Sequence, residues 1–124
     1  MPTSDRPEPR YAVGVDDVLL EEDLAHATAA GRAAIAPFID QLKSAGVPKS
    51  WLKGCQAEGR DGTQLAGCVK IYVPQPNGKF GMVCRAVDVD SRLRLEFLAF
   101  GVRHHPKESH APTVYELAHR RLRG

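Results

Sequence analysis

The spacing of apolar residues changes once along this chain, near residue 51, and that change limits the fold more than any other feature. Before it, Leu20, Leu24, Ala27 and Thr28, then Ile35, Phe38, Ile39 and Leu42, recur at helical intervals. After it, Leu65–Val73, Phe80–Val89 and Arg92–Phe100 read as strands. The turns between them are short: Pro74-Gln75-Pro76-Asn77-Gly78 and Asp90-Ser91. Helices first, then closely connected strands, predict an antiparallel meander with helices packed against it.

Local signals mark the remaining elements. Residues 1–10 are polar and proline-rich and read as a loose tail. Tyr11–Val15 reads as a short strand. Asp16 and Asp17 open a first helix that ends near Gly31. Gly31 and Pro37 divide the helical pattern, and a second helix runs to about Ala45, where Gly46 and Pro48 stop it. Thr113–Arg123 reads as a final helix with Val114, Leu117, Ala118 and Leu122 inward and Arg120, Arg121 and Arg123 at its C-terminal end. The expectation is an α+β fold of order β-α-α-β-β-β-α, one domain over 11–124. Helices pack on one face of the sheet, with the hairpin of 17–45 on the face that carries Leu93, Leu95 and Phe97. The opposite face presents Lys70, Tyr72, Arg85, Arg92 and Arg94.

Composition narrows the function classes. The chain has 124 residues, of which 43% are apolar and 26% charged, a balance that suits one globular domain. No apolar run is long enough to span a bilayer, and MPTSDRPEPR lacks the apolar core of a secretory signal, so a cytoplasmic protein is expected. The net charge of +2 conceals a split: residues 1–48 hold four Lys/Arg and eight Asp/Glu, residues 49–124 thirteen and seven. A basic half with an aromatic-bearing sheet face points to an anionic partner such as nucleic acid, against the plainer reading of a solvated face. Cys55, Cys68 and Cys84 with His104 or His105 have no CxxC or HxxxH spacing, so neither metal nor cofactor is expected. There is no glycine-rich phosphate loop and no GxSxG.

The C-terminal half carries a resemblance. Val69-Lys70-Ile71-Tyr72-Val73, then Phe80–Val87, then Leu98-Ala99-Phe100-Gly101-Val102-Arg103, and finally Val114-Tyr115-Glu116-Leu117-Ala118-His119-Arg120-Arg121-Leu122 resemble, in order and spacing, the RelE/ParE superfamily of type II toxins. The resemblance implies a RelE-like endoribonuclease that cleaves mRNA on the ribosome by metal-free 2′-OH attack. The basic face offers Tyr72, Arg92 and Arg94 as RNA-binding residues, with Lys107 and Arg120, and His110, the histidine nearest Tyr115, can take or give a proton near neutral pH as a catalytic residue. The resemblance implies Arg103, Lys70 and Tyr115 as catalytic residues, with Arg85 standing in for the family's second-strand Arg. It also implies a cognate antitoxin, a small DNA-binding protein, as partner. The family's second basic residue on the first meander strand falls on Tyr72, and its second-strand Arg falls on Gly81, with Arg85 four residues on. A non-nuclease protein on the same scaffold, such as a gyrase-directed ParE-like toxin, is the alternative.

Overall fold

The computed structural model describes residues 8–55, 64–104 and 112–123. Along them run β1 (Arg10–Tyr11), β2 (Val13–Gly14), α1 (Asp17–Leu24), α2 (Ala29–Ala45), β3 (Val47–Pro48), a 3-10 turn (Lys49–Trp51), β4 (Lys53–Gly54), β5 (Cys68–Tyr72), β6 (Phe80–Val89), β7 (Arg92–Val102) and α3 (Val114–Arg123). The fold is α+β. Its main sheet has the order β2-β7-β6-β5-β4. The meander β5-β6-β7 is antiparallel as expected, and β2 joins β7 in parallel through Val13↔Leu95. At the β6–β7 connection Asp90 (φ 52°) and Ser91 (φ 66°) both take the left-handed region, the signature of a tight two-residue hairpin.

The helices start and stop for reasons visible in their caps. Asp16 accepts from Val18 N at 3.0 Å and Leu19 N at 3.2 Å, opening α1. Thr28 accepts from Gly31 N at 3.0 Å and opens α2. The break between the helices therefore lies at residues 25–28, and Gly31 and Pro37 sit inside α2 instead of dividing it. The Thr28 cap outweighs both residues, because Gly31 falls in the first turn and Pro37 on an exposed position. Gly46 ends α2 at φ 69°, where a Cβ would collide with the Tyr11 carbonyl oxygen. Thr113 and Glu116 cap α3 reciprocally, Thr113 N to Glu116 Oε1 at 3.0 Å and Glu116 N to Thr113 Oγ1 at 3.2 Å.

The N-terminal expectations are corrected in two places. Residues 8–10 are anchored, not loose: Glu8 accepts from Ser50 N at 2.6 Å and Ser50 Oγ at 3.0 Å, and Arg10 donates to the Ala45 carbonyl at 2.8 Å. Residues 1–7 of the expected tail lie outside the described residues. The strand read at Tyr11–Val15 is two short pieces, because β1 pairs with β3 while β2 pairs with β7.

The sheet is covered on both faces. Leu20, Ile35, Phe38, Ile39 and Leu42 of the helical pair pack on Ile71, Met82, Leu95, Phe97 and Phe100, the face expected. Helix α3 packs on the other face, Val114 and Ala118 against Cys68, Val83 and Ala99, so the helices do not share one face. The physical reason is that β6 is apolar on both sides and α3 brings a second apolar stripe that needs its own surface. Arg121 of α3 reaches around the edge of β7 to Asp23 of α1, with Nη2 to Oδ1 at 2.7 Å and Nη1 to Oδ2 at 2.9 Å. Arg121 also donates to the Leu98 carbonyl at 2.5 Å, and Asp23 accepts from Phe100 N at 2.8 Å. Asp23 is buried, with 1% of its side chain exposed. Among the described residues no helix is long and apolar enough to cross a membrane.

Candidate functional site

Alternation along β5 sends Ile71 to the helical-pair core and leaves Lys70 and Tyr72 on the α3 face. Tyr72 stands opposite Gly81 of β6, and Gly81 stands opposite Gly101 of β7. These facing glycines leave bare backbone in one row of the sheet. Arg103, just past the end of β7, lies across that row: a Cβ on Gly81 would come within 3.2 Å of Arg103 Cγ. At Gly101 a Cβ would make only ordinary contact with α3, 3.7 Å from Val114 N. Gly81 is therefore the seat of Arg103's stem rather than a missing cation.

The guanidinium of Arg103 stacks on Tyr72, with Cζ 3.6 Å from the ring centroid. Its Nη1 donates to the Gly78 carbonyl at 2.9 Å, while its buried Nε has no hydrogen-bond partner among the described residues. Lys70 Nζ stands 5.8 Å from the Tyr72 centroid and 5.6 Å from that of Tyr115. Lys53 Nζ of β4 stands 5.3 Å from Tyr72 on the other side of β5. Lys53, Lys70 and Arg103 thus gather around one phenol ring, and among the described residues none of them is ion-paired to a carboxylate. Clustered cations with no counter-charge repel one another, and the arrangement is relieved by an incoming anion.

The two tyrosines are driven in opposite directions. Burial acts to raise the Tyr72 hydroxyl, but hydrogen bonding and charge from Lys70, joined by Arg103, carry it below the ordinary value of 10.0. For Tyr115 burial dominates and raises it above 10.0, although Arg103 and Lys70 act against the shift. Burial also pushes the Cys55 thiol up to about 11 and the Cys84 thiol up to about 12, so neither is a ready thiolate. Among the described residues no group of three or more His, Cys, Asp or Glu side chains is placed to hold a metal.

The structure brings together Lys70, Tyr72, Arg103 and Tyr115 from the expected set. It does not bring Arg85 to them. Arg85 stands opposite Cys68, four residues along β6 from Gly81 or about 13 Å, and is paired with Glu96 at 2.9 Å. Arg92 and Arg94 are exposed toward the β6–β7 turn, with Arg94 lying against Gly14. Arg120 is exposed on α3. His110 and Lys107 lie outside the described residues, as does His105. Lys53 was missed by sequence reasoning, because β4 is two residues long and has no period to detect. No protein-family model matches the chain, and no curated protein or solved structure matches it.

Proposed function

We propose that this chain is a RelE-like toxin of a type II toxin–antitoxin system, an endoribonuclease that cuts mRNA on the ribosome. The observation that carries the reading is the convergence of Lys70, Tyr72, Arg103 and Tyr115 on one end of the sheet. The element order and the motif order of the C-terminal half support it. Phosphodiester cleavage by an internal 2′-OH needs a proton acceptor, cations for the phosphorane and a proton donor for the leaving group. Tyr72 and Tyr115, drawn in opposite directions beside Lys70, support those two proton roles.

In this reading Tyr72, as phenolate, takes the proton of the 2′-OH. The 2′-oxygen bonds to the adjacent phosphorus, and the bond from phosphorus to the 5′-oxygen breaks. Tyr115 gives its proton to that 5′-oxygen, leaving a 2′,3′-cyclic phosphate and a 5′-hydroxyl. Lys70 and Arg103 hold the charge of the phosphorane, Arg103 by two donors on one planar group. Solvent returns each tyrosine to its starting state. A small antitoxin that covers the basic surface is the expected partner, and co-purification with it is the simplest check of that part.

One observation favours a second reading, a non-nuclease binding protein of the ParE kind. Arg85, four residues past the position of the family's second-strand Arg on the same strand, is tied to Glu96 and stands away from the cluster. The deciding experiment incubates the protein with ribosomes programmed with mRNA, and separately with gyrase and supercoiled DNA. Cuts in the mRNA that end in a 2′,3′-cyclic phosphate support the nuclease. Intact mRNA with inhibited gyrase supports the alternative.

A further inference from the structure

Beside the cation cluster lies a groove of about 350 Å³, within the size range of small-ligand sites. Its walls come from three places in the chain: Trp51 at the end of the 3-10 turn, Lys53 of β4, and Val73, Pro74 and Gln75 after β5, with Arg103 at one end. The indole of Trp51 is held from the core side by Phe38, with ring centroids 6.3 Å apart and planes at 22°. It is half-buried and lines the groove with what remains exposed. Val73 and Pro74 make the wall apolar. The Gln75 amide leans over Gly78, where a Cβ would collide with Gln75 Nε2, and the Gly78 carbonyl in turn holds Arg103. The groove thus combines an aromatic surface, an apolar wall, one amide with two donors and an acceptor, and cations on its rim.

We infer that this groove binds the nucleotide adjoining the scissile phosphate, with the base against Trp51 and the Val73–Pro74 wall and its phosphate between Lys53 and Arg103. The inference rests on the RNA reading above and adds a base subsite to it. A flat aromatic surface takes any base by stacking, so the subsite recognises a nucleotide rather than a sequence. The Gln75 amide, with two donors and an acceptor, is placed to favour one base edge over another. An acidic peptide would use the cations but has no use for the indole beside them.

The chain holds a single tryptophan, so the groove carries its own reporter. Full-length protein is titrated with adenosine 5′-monophosphate, uridine 5′-monophosphate, adenosine and inorganic phosphate while Trp51 fluorescence is followed. Saturable quenching by both nucleotides, with adenosine about tenfold weaker and phosphate silent, is the expected result. Lys53→Ala, an exposed position that does not threaten folding, weakens nucleotide binding about tenfold. Nuclear magnetic resonance of the indole N–H gives the same titration without reliance on quenching. No shift and no quenching by millimolar nucleotide, in protein that still cuts ribosome-bound mRNA, overturns the groove and leaves the nuclease reading standing. Equal response to phosphate and nucleotide overturns the base subsite. Nucleotide binding in protein that never cuts RNA supports the groove while removing the chemistry proposed for its neighbour.

Discussion

Arg121 and Arg103 are both half-buried arginines on the α3 face of the sheet, and they differ in what surrounds them. Arg121 is fully employed: both oxygens of Asp23 and the Leu98 carbonyl accept from it, and Asp23 raises its pKa further. Arg103 has one carbonyl, one aromatic face, a buried Nε without a hydrogen-bond partner and no carboxylate among the described residues. The first arrangement closes a structure. The second leaves charge for something else. Burial and residue type alone do not separate the two roles; the partner list does.

That contrast can be broken by mutation. The largest effect is expected on stability at the Arg121 end. Asp23→Ala leaves a desolvated guanidinium and an unpaired Phe100 N–H, and costs about 3–5 kcal/mol, read as a shift in the urea midpoint. Replacing Arg103 reverses the pattern. Arg103→Ala lowers mRNA cleavage by about 10²–10³ while the urea midpoint moves little, because no buried carboxylate among the described residues is stranded. Equal loss of stability in the two variants would erase the distinction.

The Arg103 side is sharpened by its seat. Gly81→Val pushes on the Arg103 stem and lowers cleavage about tenfold without replacing any charged residue. The pH profile separates the tyrosines. The Tyr72 hydroxyl is held below its ordinary value by Lys70 and Arg103 and must lose its proton to act, so the rate climbs with pH and levels off earlier than for an ordinary phenol. Tyr115 titrates above 10.0 and must keep its proton, so the rate falls only beyond it. Tyr72→Phe flattens the rising limb, and Tyr115→Phe removes the fall. The smallest effect belongs to Arg85→Ala. Its pair with Glu96 is half exposed on both sides, so stability changes by less than about 1 kcal/mol and cleavage by less than about twofold.

The meander was legible because each strand alternates and each connection is short. Lys70, Tyr72, Arg103 and Tyr115 were legible through motif order. Three features were not. The Thr28 cap competed with Gly31 and Pro37 as punctuation, and a side-chain hydrogen bond decides such contests where propensity does not. Lys53 reaches the cation cluster from β4, whose two residues have no period to detect. Asp23 and Arg121 are 98 residues apart, and counting charges by half of the chain does not say which of them pair. Their pairing follows from α1 and α3 lying on opposite faces, which no local pattern encodes. Gly81 shows the converse error. Read against a motif it was an absence; in the fold it is the space that another residue needs.

Past the end of β2, which pairs with only two residues of β7, the Phe100 N–H and the Leu98 carbonyl face outward from the sheet. Bare groups of this kind template a strand from a second copy of the chain. Asp23 and Arg121 occupy them from opposite layers. Arg121 belongs to the last turn of α3, so clipping the chain before that turn uncovers the edge and strands Asp23 on the far face at once. The cover of this edge is thus held by the last turn of α3 rather than by the strand it protects.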